Sequence, residues 1–288
     1  MIGPVRELWR YPVKSMRGER LGSTDVIPTY GIPGDRGWAV RDETVGEIRG
    51  AKKIGALVQL AARYLAPPAG PATPPVEIDL GDGTTVRSDD PSVAALLSAR
   101  LGRPVTLWPR RPAEDRDHYR RVELPDEAEF RRQLGLLPDE PIPDWSTMAP
   151  PDLMAELIEY VGPRGTYFDS FQLHVLTTTS LASLAEATPG ASMDVRRFRP
   201  NVLVDTGTEP GGFPEIDWCG RHLRIGSVVA EVIQPMSRCV MVTLPQDDLP
   251  AERRIMRTLV RETRMDLGIG LDVVEPGRIA EGDPVELL

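Results

Sequence analysis

The residue whose setting most invites chemistry is Cys239, in the run Pro235-Met236-Ser237-Arg238-Cys239-Val240-Met241-Val242-Thr243, and it is one of two cysteines in 288 residues. A thiol directly after an arginine, at the mouth of an apolar β-prone run, suits a site that holds a thiolate for a soft metal or an electrophile. Taken alone, such a cysteine is more often a small buried hydrophobe entering a core strand. The other one, Cys219 in Trp218-Cys219-Gly220-Arg221, reads as a packed thiol beside a turn. Two cysteines are too few for a disulfide framework, a cysteine-only zinc site or a four-cysteine iron–sulfur cluster, which points to a reduced, cytoplasmic setting.

Other residue types narrow the chemistry further. The three histidines, His118, His174 and His222, stand far apart and singly, as packed or surface histidines do, although His174 falls in a strand near the basic runs described below. Gly-x-x-x-x-Gly-Lys-Ser, Gly-x-Gly-x-x-Gly, Gly-x-Ser-x-Gly and His-Glu-x-x-His are all absent. A cysteine hydrolase would need a histidine base beside Cys239, which spacing alone does not reveal. A net charge of −9 argues against a general affinity for nucleic acid or anionic membrane. Basic residues still cluster locally: Lys14 with Arg17, Arg196 and Arg197 with Arg199, and Arg238 beside the cysteine. Such islands are either solvated faces or the lining of a pocket for a small anion.

The elements that must position these residues are short. With 29 prolines and 26 glycines against 41% hydrophobic residues, the chain is punctuated into segments that disfavour long helices, so a β-rich fold is expected. Strand-like stretches at Val5–Trp9, Gly37–Arg41, Leu57–Tyr64, Val76–Leu80 and Val105–Trp108 suggest a first unit over residues 1–109. Inside it, Asp89, Asp90 and Pro91 open a helix that Gly102 ends. Residues 110–164 read as a charged, proline-rich insertion with a short helix at Pro151–Val161. A second unit over 165–288 carries expected strands at Phe171–Leu176, Asn201–Asp205, His222–Ile225, Val228–Ile233 and Val240–Leu244. It also carries helices at Ser180–Ala187 and between Pro250 and Met265, and a closing hairpin from Leu271–Val274 to Pro284–Leu288. The opening Met1-Ile2-Gly3-Pro4 lacks the pattern of a signal peptide, and no apolar run approaches the roughly 18 to 20 residues that cross a bilayer, so a soluble protein is expected.

Five runs, taken in order, resemble a known family: Tyr11-Pro12-Val13-Lys14-Ser15, Gly34-Asp35-Arg36-Gly37-Trp38, Leu176-Thr177-Thr178-Thr179-Ser180-Leu181, Arg197-Phe198-Arg199-Pro200-Asn201 and Ser237-Arg238-Cys239. Together they are similar to the signature of MOSC proteins, the molybdenum cofactor sulfurase C-terminal superfamily. The branch is the one with an N-terminal β-barrel domain, which includes the mitochondrial amidoxime-reducing component and bacterial relatives. The resemblance implies an α+β, β-rich fold: a MOSC-type β-barrel, an N-terminal β-barrel-like domain and peripheral helices. It also implies a molybdenum cofactor (molybdopterin) site in which Lys14, Ser15, Arg36, Arg199 and Asn201 hold the cofactor, Ser237 and Arg238 flank the metal, and Cys239 is its protein ligand. Those residue types suit a phosphate and a polar pterin, since arginine's planar fork grips phosphate bidentately. The chain departs from the pattern at Met16, at Met236 and in the loop Gly211-Gly212-Phe213-Pro214, which bear on the substrate mouth rather than on any proposed ligand.

The expected activity is reduction of N-hydroxylated or N-oxide compounds at the metal. With one cysteine assigned to that metal and no dinucleotide fingerprint, electrons would come from a separate ferredoxin, flavodoxin or flavin reductase. The chain ends at Leu288 without the ferredoxin domain that some bacterial relatives carry. A carrier that holds the cofactor, or passes sulfur as a persulfide on Cys239, is the reading of a different class.

Overall fold

The computed structural model describes residues 1–143 and 151–288; residues 144–150, within the stretch expected to be an insertion, lie outside the described residues. Strands in chain order are β1 (Gly3–Arg10), β2 (Glu19–Leu21), β3 (Ser23–Val26), β4 (Trp38–Asp42), β5 (Glu47–Ile48), β6 (Ala61–Tyr64), β7 (Val76–Asp79), β8 (Thr85–Arg87) and β9 (Val105–Pro109). They continue as β10 (Leu173–Thr177), β11 (Val202–Val204), β12 (His222–Ile225), β13 (Val228–Ser237), β14 (Asp266–Glu275), β15 (Gly277–Ala280) and β16 (Pro284–Leu287). The helices are α1 (Val93–Leu101), α2 (Arg116–Tyr119), α3 (Glu127–Leu134), α4 (Pro151–Glu159), α5 (Thr178–Ala187) and α6 (Arg254–Thr263).

Seven strands close into a barrel in the order β11-β10-β14-β13-β12-β16-β1, with β1 pairing back onto β11. All neighbours run antiparallel except β10 and β11. Closure is made by the strand nearest the N-terminus: Val5 faces Val204 and Leu8 faces Val202 in the ladder, while Gly3 and Pro4 face Val285 and Pro284 of β16. Val5, Leu8, Val175, Val202, Ile269 and Leu271 share one core inside it. A closed barrel leaves no free strand edge, which removes the usual template for aggregation.

Outside the barrel, β4 to β9 form the first body from two three-stranded sheets, β5-β4-β9 and β6-β7-β8. Val13, Trp38, Val40, Leu57, Ile78 and Leu97 fill the core between them. Helix α1 ends as expected, on Gly102 in the left-handed region. A third apolar layer coats the barrel, where Ile255, Met256 and Leu259 of α6 meet Leu184 of α5, Phe198 and Leu267. Tyr119, Tyr160 and Tyr167 pack with Ala39 and Ile48, tying α2 and the segment after α4 to the first body.

Three expected elements differ. The closing hairpin does not form: β14 pairs with β10 and β13, whereas β16 pairs with β12 and β1, because closing the barrel takes precedence over pairing sequence neighbours. Residues 57–60 end a 3-10 turn (Gly55–Gln59) ahead of β6 instead of extending it. The run after Cys239 is also a 3-10 turn, Val240–Thr243, and not a strand. That turn sends Val242 into the helical layer and Met241 toward the first body, so tertiary packing overrides β-propensity.

The N-terminus of α5 rests on a buried carboxylate. Thr177 and Ser180 donate their hydroxyls to Glu215 Oε2 at 2.8 and 2.6 Å, while Oε1 has no partner. Burial pushes the Glu215 carboxyl above its ordinary range, with the two hydroxyls only partly offsetting this. A carboxyl whose folded value is raised stabilises the fold while it keeps its proton, and that contribution fades as pH rises from the unfolded value through the folded one. Glu215→Gln has no such proton to lose. The melting temperature of the Gln variant minus that of the native chain is therefore expected to grow steadily more positive from pH 4 to pH 8; a difference that does not change with pH would disprove the buried protonated carboxyl.

Candidate cofactor-binding cleft

Where barrel and first body meet, a cleft of about 660 Å³ opens to solvent. Lys14, Ser15, Arg36, Arg199, Asn201, Arg238 and Cys239, distributed over more than 220 residues of sequence, all line it. Each arrives by a different piece of backbone. Lys14 and Ser15 follow β1, Arg36 precedes β4, Arg199 and Asn201 precede β11, and Arg238 and Cys239 follow β13. Ser15, Arg36 and Arg199 have φ of 68°, 46° and 58°. Non-glycine residues hold such conformations only where the surroundings dictate them, and they concentrate at functional sites.

Arginines are held on one side by a tyrosine and a carboxylate. The guanidinium carbons of Arg199 and Arg36 stand 4.1 and 4.5 Å from the centre of the buried Tyr11 ring. Asp35 pairs with Arg36, accepts the Tyr11 backbone N–H at 2.8 Å and accepts the Asn201 amide at 3.0 Å. Asn201 in turn accepts the His174 backbone N–H at 3.0 Å. Arg199 donates to the Met16 carbonyl. Burial, reinforced by the neighbouring Arg36, pulls the Arg199 guanidinium down to about 10, and burial holds the Tyr11 hydroxyl far above its ordinary value.

On the thiol side, β13 bulges between Pro235 and Ser237, which turns the chain out of the ladder and into the cleft. Arg238 Nη1 donates to the Phe198 carbonyl at 3.2 Å and approaches His174 Nε2 at 3.4 Å. His174 Nδ1 lies 3.4 Å from the Arg199 carbonyl. Burial, then Arg238, holds His174 well below its ordinary value, so the ring is neutral and accepts at Nε2. Two glycines of β14 make the room: a Cβ on Gly268 would collide with the His174 ring, and one on Gly270 with the Phe171 ring. Lys14 lies across from them, 2.7 Å from Asp169 and 2.9 Å from the Tyr167 carbonyl. Burial pushes its ammonium down, and Asp169 opposes that shift.

The basic island Arg196-Arg197-Phe198-Arg199 separates by function. Arg196 pairs with Asp194 and Asp248 at the surface. Arg197, though buried, spends its guanidinium on the carbonyls of Ser192, Leu244 and Pro250. Only Arg199 is turned to the anion side. Ser237 does not line the cleft; its hydroxyl is buried behind it without a partner. Asp169 and Phe168 also line the cleft with no local mark in the sequence, and His174 and Phe171 line it with none beyond their place in an expected strand. Tyr11 and Asp35, behind them, stand inside two of the five motif runs. Cys219 lies apart, packed on the barrel core.

Fit to a molybdopterin can be tested on these residues. Among the described residues no group of three or more His, Cys, Asp or Glu could hold a bare metal ion. A metal here would need most of its ligands from an organic molecule, with one protein thiolate. The lining also supplies cations in excess of its one carboxylate, Asp169, and the Arg238 Nε is buried without a partner. These features fit an anionic, phosphate-bearing cofactor.

A barrel whose cationic cleft ends at one thiol defines a class of cofactor-binding domain, and comparison gives it a name. The MOSC domain family matches residues 163–286 and the MOSC N-terminal β-barrel domain family matches residues 2–94. The chain belongs to the MOSC family, whose domains are associated with molybdenum-cofactor binding. No curated protein sequence matches it. Among solved structures it is similar to the YuaD protein from Bacillus subtilis at 12% identity, over 100% of this chain and 96% of that one, with a TM-score of 0.46. YiiM from Geobacillus stearothermophilus is similar at 16% identity over 41% of this chain and 54% of that one, with a TM-score of 0.31. YiiM from Escherichia coli is similar at 20% identity over 44% and 58%, with a TM-score of 0.29.

Asp35 supplies the carboxylate that Arg36, Asn201 and the Tyr11 backbone share, and removing one member of a buried charged network leaves the others uncompensated. Asp35→Ala is expected to lower the unfolding free energy by about 3 to 5 kcal/mol, measured by urea denaturation. A loss below about 1 kcal/mol, the size of an exposed pair, would show that the network is not the joint between the two bodies.

Proposed function

We propose that this chain is a molybdenum-cofactor-dependent reductase of N-hydroxylated or N-oxide compounds. The observation that carries the proposal is the convergence of Lys14, Arg36, Arg199 and Arg238 with the Cys239 thiol on one open cleft. Motif similarity to the amidoxime-reducing branch supports the substrate class, and the Phe168 and Phe171 rings beside the thiol offer an apolar surface to an organic substrate.

Lys14, Ser15, Arg36, Arg199 and Asn201 hold the phosphate and pterin, with Asp35 and Tyr11 fixing the two arginines. Cys239 supplies the thiolate to the metal. When bound, the cofactor would supply a two-electron redox centre for cleaving the substrate's N–O bond. Overall, an N-hydroxy compound, two electrons and two protons give the amine or its equivalent and water. Arg238 is positioned by His174 and the Phe198 carbonyl, which leaves its buried Nε without a hydrogen-bond partner, and its charge would stabilise negative charge developing in the cleft. Ser237 backs that arginine. Phe168, Phe171 and Met236 border the approach.

His174 is not a free hydrolase base, since its two ring nitrogens are directed at Arg238 and the Arg199 carbonyl. A carrier that passes sulfur on Cys239 requires no redox turnover, and metal content separates it from the reductase. Purified protein is expected to hold molybdenum near one atom per chain and to reduce a model amidoxime. Cys239→Ala should abolish that activity with unfolding unchanged, while Cys219→Ala stays close to native. Equal loss in both variants, or sulfane sulfur without molybdenum, would defeat the reductase reading.

Electrons come from a separate ferredoxin, flavodoxin or flavin reductase docking near the open mouth. Dithionite-reduced viologen should support turnover, and NADH or NADPH should not until such a partner is added. Sustained turnover by the isolated chain with NADPH would contradict a separate donor.

A further inference from the structure

Behind a wall of Lys14, Ser15, Asp169 and Met241 the cleft continues into a second lobe of about 610 Å³, open to solvent. Glu47, Arg49, Lys52, Lys53, Arg121 and Gln133 line it further. None of these residues has a part in the cofactor contacts assigned above. The wall is rigid: Ser15, at φ 68°, accepts the Ala51 backbone N–H at 2.9 Å and so ties the two sides together.

Two guanidinium groups here are incompletely satisfied. Arg49 Nε and Arg121 Nε are both buried without a hydrogen-bond partner. The Arg49 side chain is 10% exposed, yet Glu47, Asp42 and Glu123 stand 3.8, 4.0 and 4.0 Å away, outside hydrogen-bond reach. Those acids are otherwise engaged: Glu47 accepts the Val122 N–H at 2.8 Å, and Asp42 accepts from Arg103 at 2.9 Å. Arg121 directs Nη2 to the carbonyls of Leu157 and Tyr160, both at 2.9 Å, and finds no carboxylate within ion-pair distance among the described residues. Buried donors left open are rare unless something completes them.

Charge sets the kind of ligand. Lys14 is balanced by Asp169 and Lys53 by Glu129, each at 2.7 Å, and Arg49 faces Glu47, Asp42 and Glu123. Arg121 and the exposed Lys52 remain with no carboxylate in ion-pair distance among the described residues, Glu47 and Asp169 acting on them only from farther away. A phosphate monoester carries close to two negative charges at neutral pH, and its oxygens match the planar fork of arginine. We propose that this lobe binds the phosphoryl group of an organic phosphate, with Arg49 and Arg121 as its buried donors and Lys52 at its rim.

The phosphoryl group has two sources with the same chemistry: an ester of the cofactor that reaches past Lys14, or a separate phosphorylated molecule lying beside the cofactor. Only the choice between them rests on the proposed cofactor reading. Calorimetric titration of cofactor-free protein with inorganic phosphate and with glycerol 3-phosphate tests the lobe itself. Both should bind, and Arg49→Ala and Arg121→Ala should each weaken binding roughly tenfold or more, the weight of a charge-assisted hydrogen bond. Lys52→Glu, a change at an exposed position that leaves the buried groups intact, should weaken it as well, while Arg87→Ala on the far surface should not. Repeating the titration on molybdenum-loaded protein separates the sources: lost binding assigns the lobe to the cofactor's own phosphate, and retained binding to a separate molecule. Absence of phosphate binding by folded protein, or binding that all three lobe variants leave unchanged, would overturn the proposal. Protein found to contain no molybdenum would defeat the reductase reading yet leave the titration of the lobe valid.

Discussion

Two arginines over one tyrosine ring, one of them paired with a buried carboxylate, are the constraint on which this molecule depends. Removing a guanidinium from water is costly unless its charge and its donors are met. The protein meets that cost with parts taken from three places in the chain: Tyr11 just after β1, Asp35 and Arg36 just before β4, and Arg199 and Asn201 just before β11. Cation–π contacts of this kind contribute up to about 2 kcal/mol when desolvated. Because each partner is satisfied only when the others are in place, the node forms as a unit and sets the separation of the walls of the cleft.

The node leaves a positive excess where no substrate-independent function needs one. One carboxylate at the node and one at the mouth, Asp35 and Asp169, oppose Lys14, Arg36, Arg199 and Arg238. Burial by itself also lowers the proton affinity of Lys14, Arg199 and Arg238, so the cations carry a cost of desolvation as well. An anion entering the cleft relieves a repulsion the fold has already accommodated, which is how a preorganised site binds without large rearrangement. On an acidic protein, the local sign matters more than the net one.

Much of this was legible in the chain, for identifiable reasons. The β-rich architecture followed from proline and glycine punctuation, and α1 and α6 from their end signals and apolar faces. The residues proposed for the site stood in short polar runs that no core would require, and all but Ser237 line one cleft. What escaped was whatever depends on distant partners. Val240–Thr243 has the composition of a strand but its side chains serve two cores. Leu271–Val274 and Pro284–Leu288 have the composition of a hairpin, but a closing barrel parts them. His174 carries no local mark at all: a lone histidine in an apolar strand acquires meaning only from Gly268, Arg199 and Arg238 across the fold.

Barrel closure by β1 has a consequence in the order of events. The ribosome makes β1 well before β16, one of the strands it pairs with. Such sequence-distant pairing carries a large loop-closure entropy and slows folding. Until residues 284–287 emerge, β1 is an open edge on a half-built wall, and Lys14 and Ser15, which follow it directly, have no fixed place opposite Arg238 and Cys239. Loading of any ligand that spans the cleft is thereby restricted to a chain whose β16 has emerged, and a nascent chain stalled before β16 exposes a strand that chaperones would have to shield.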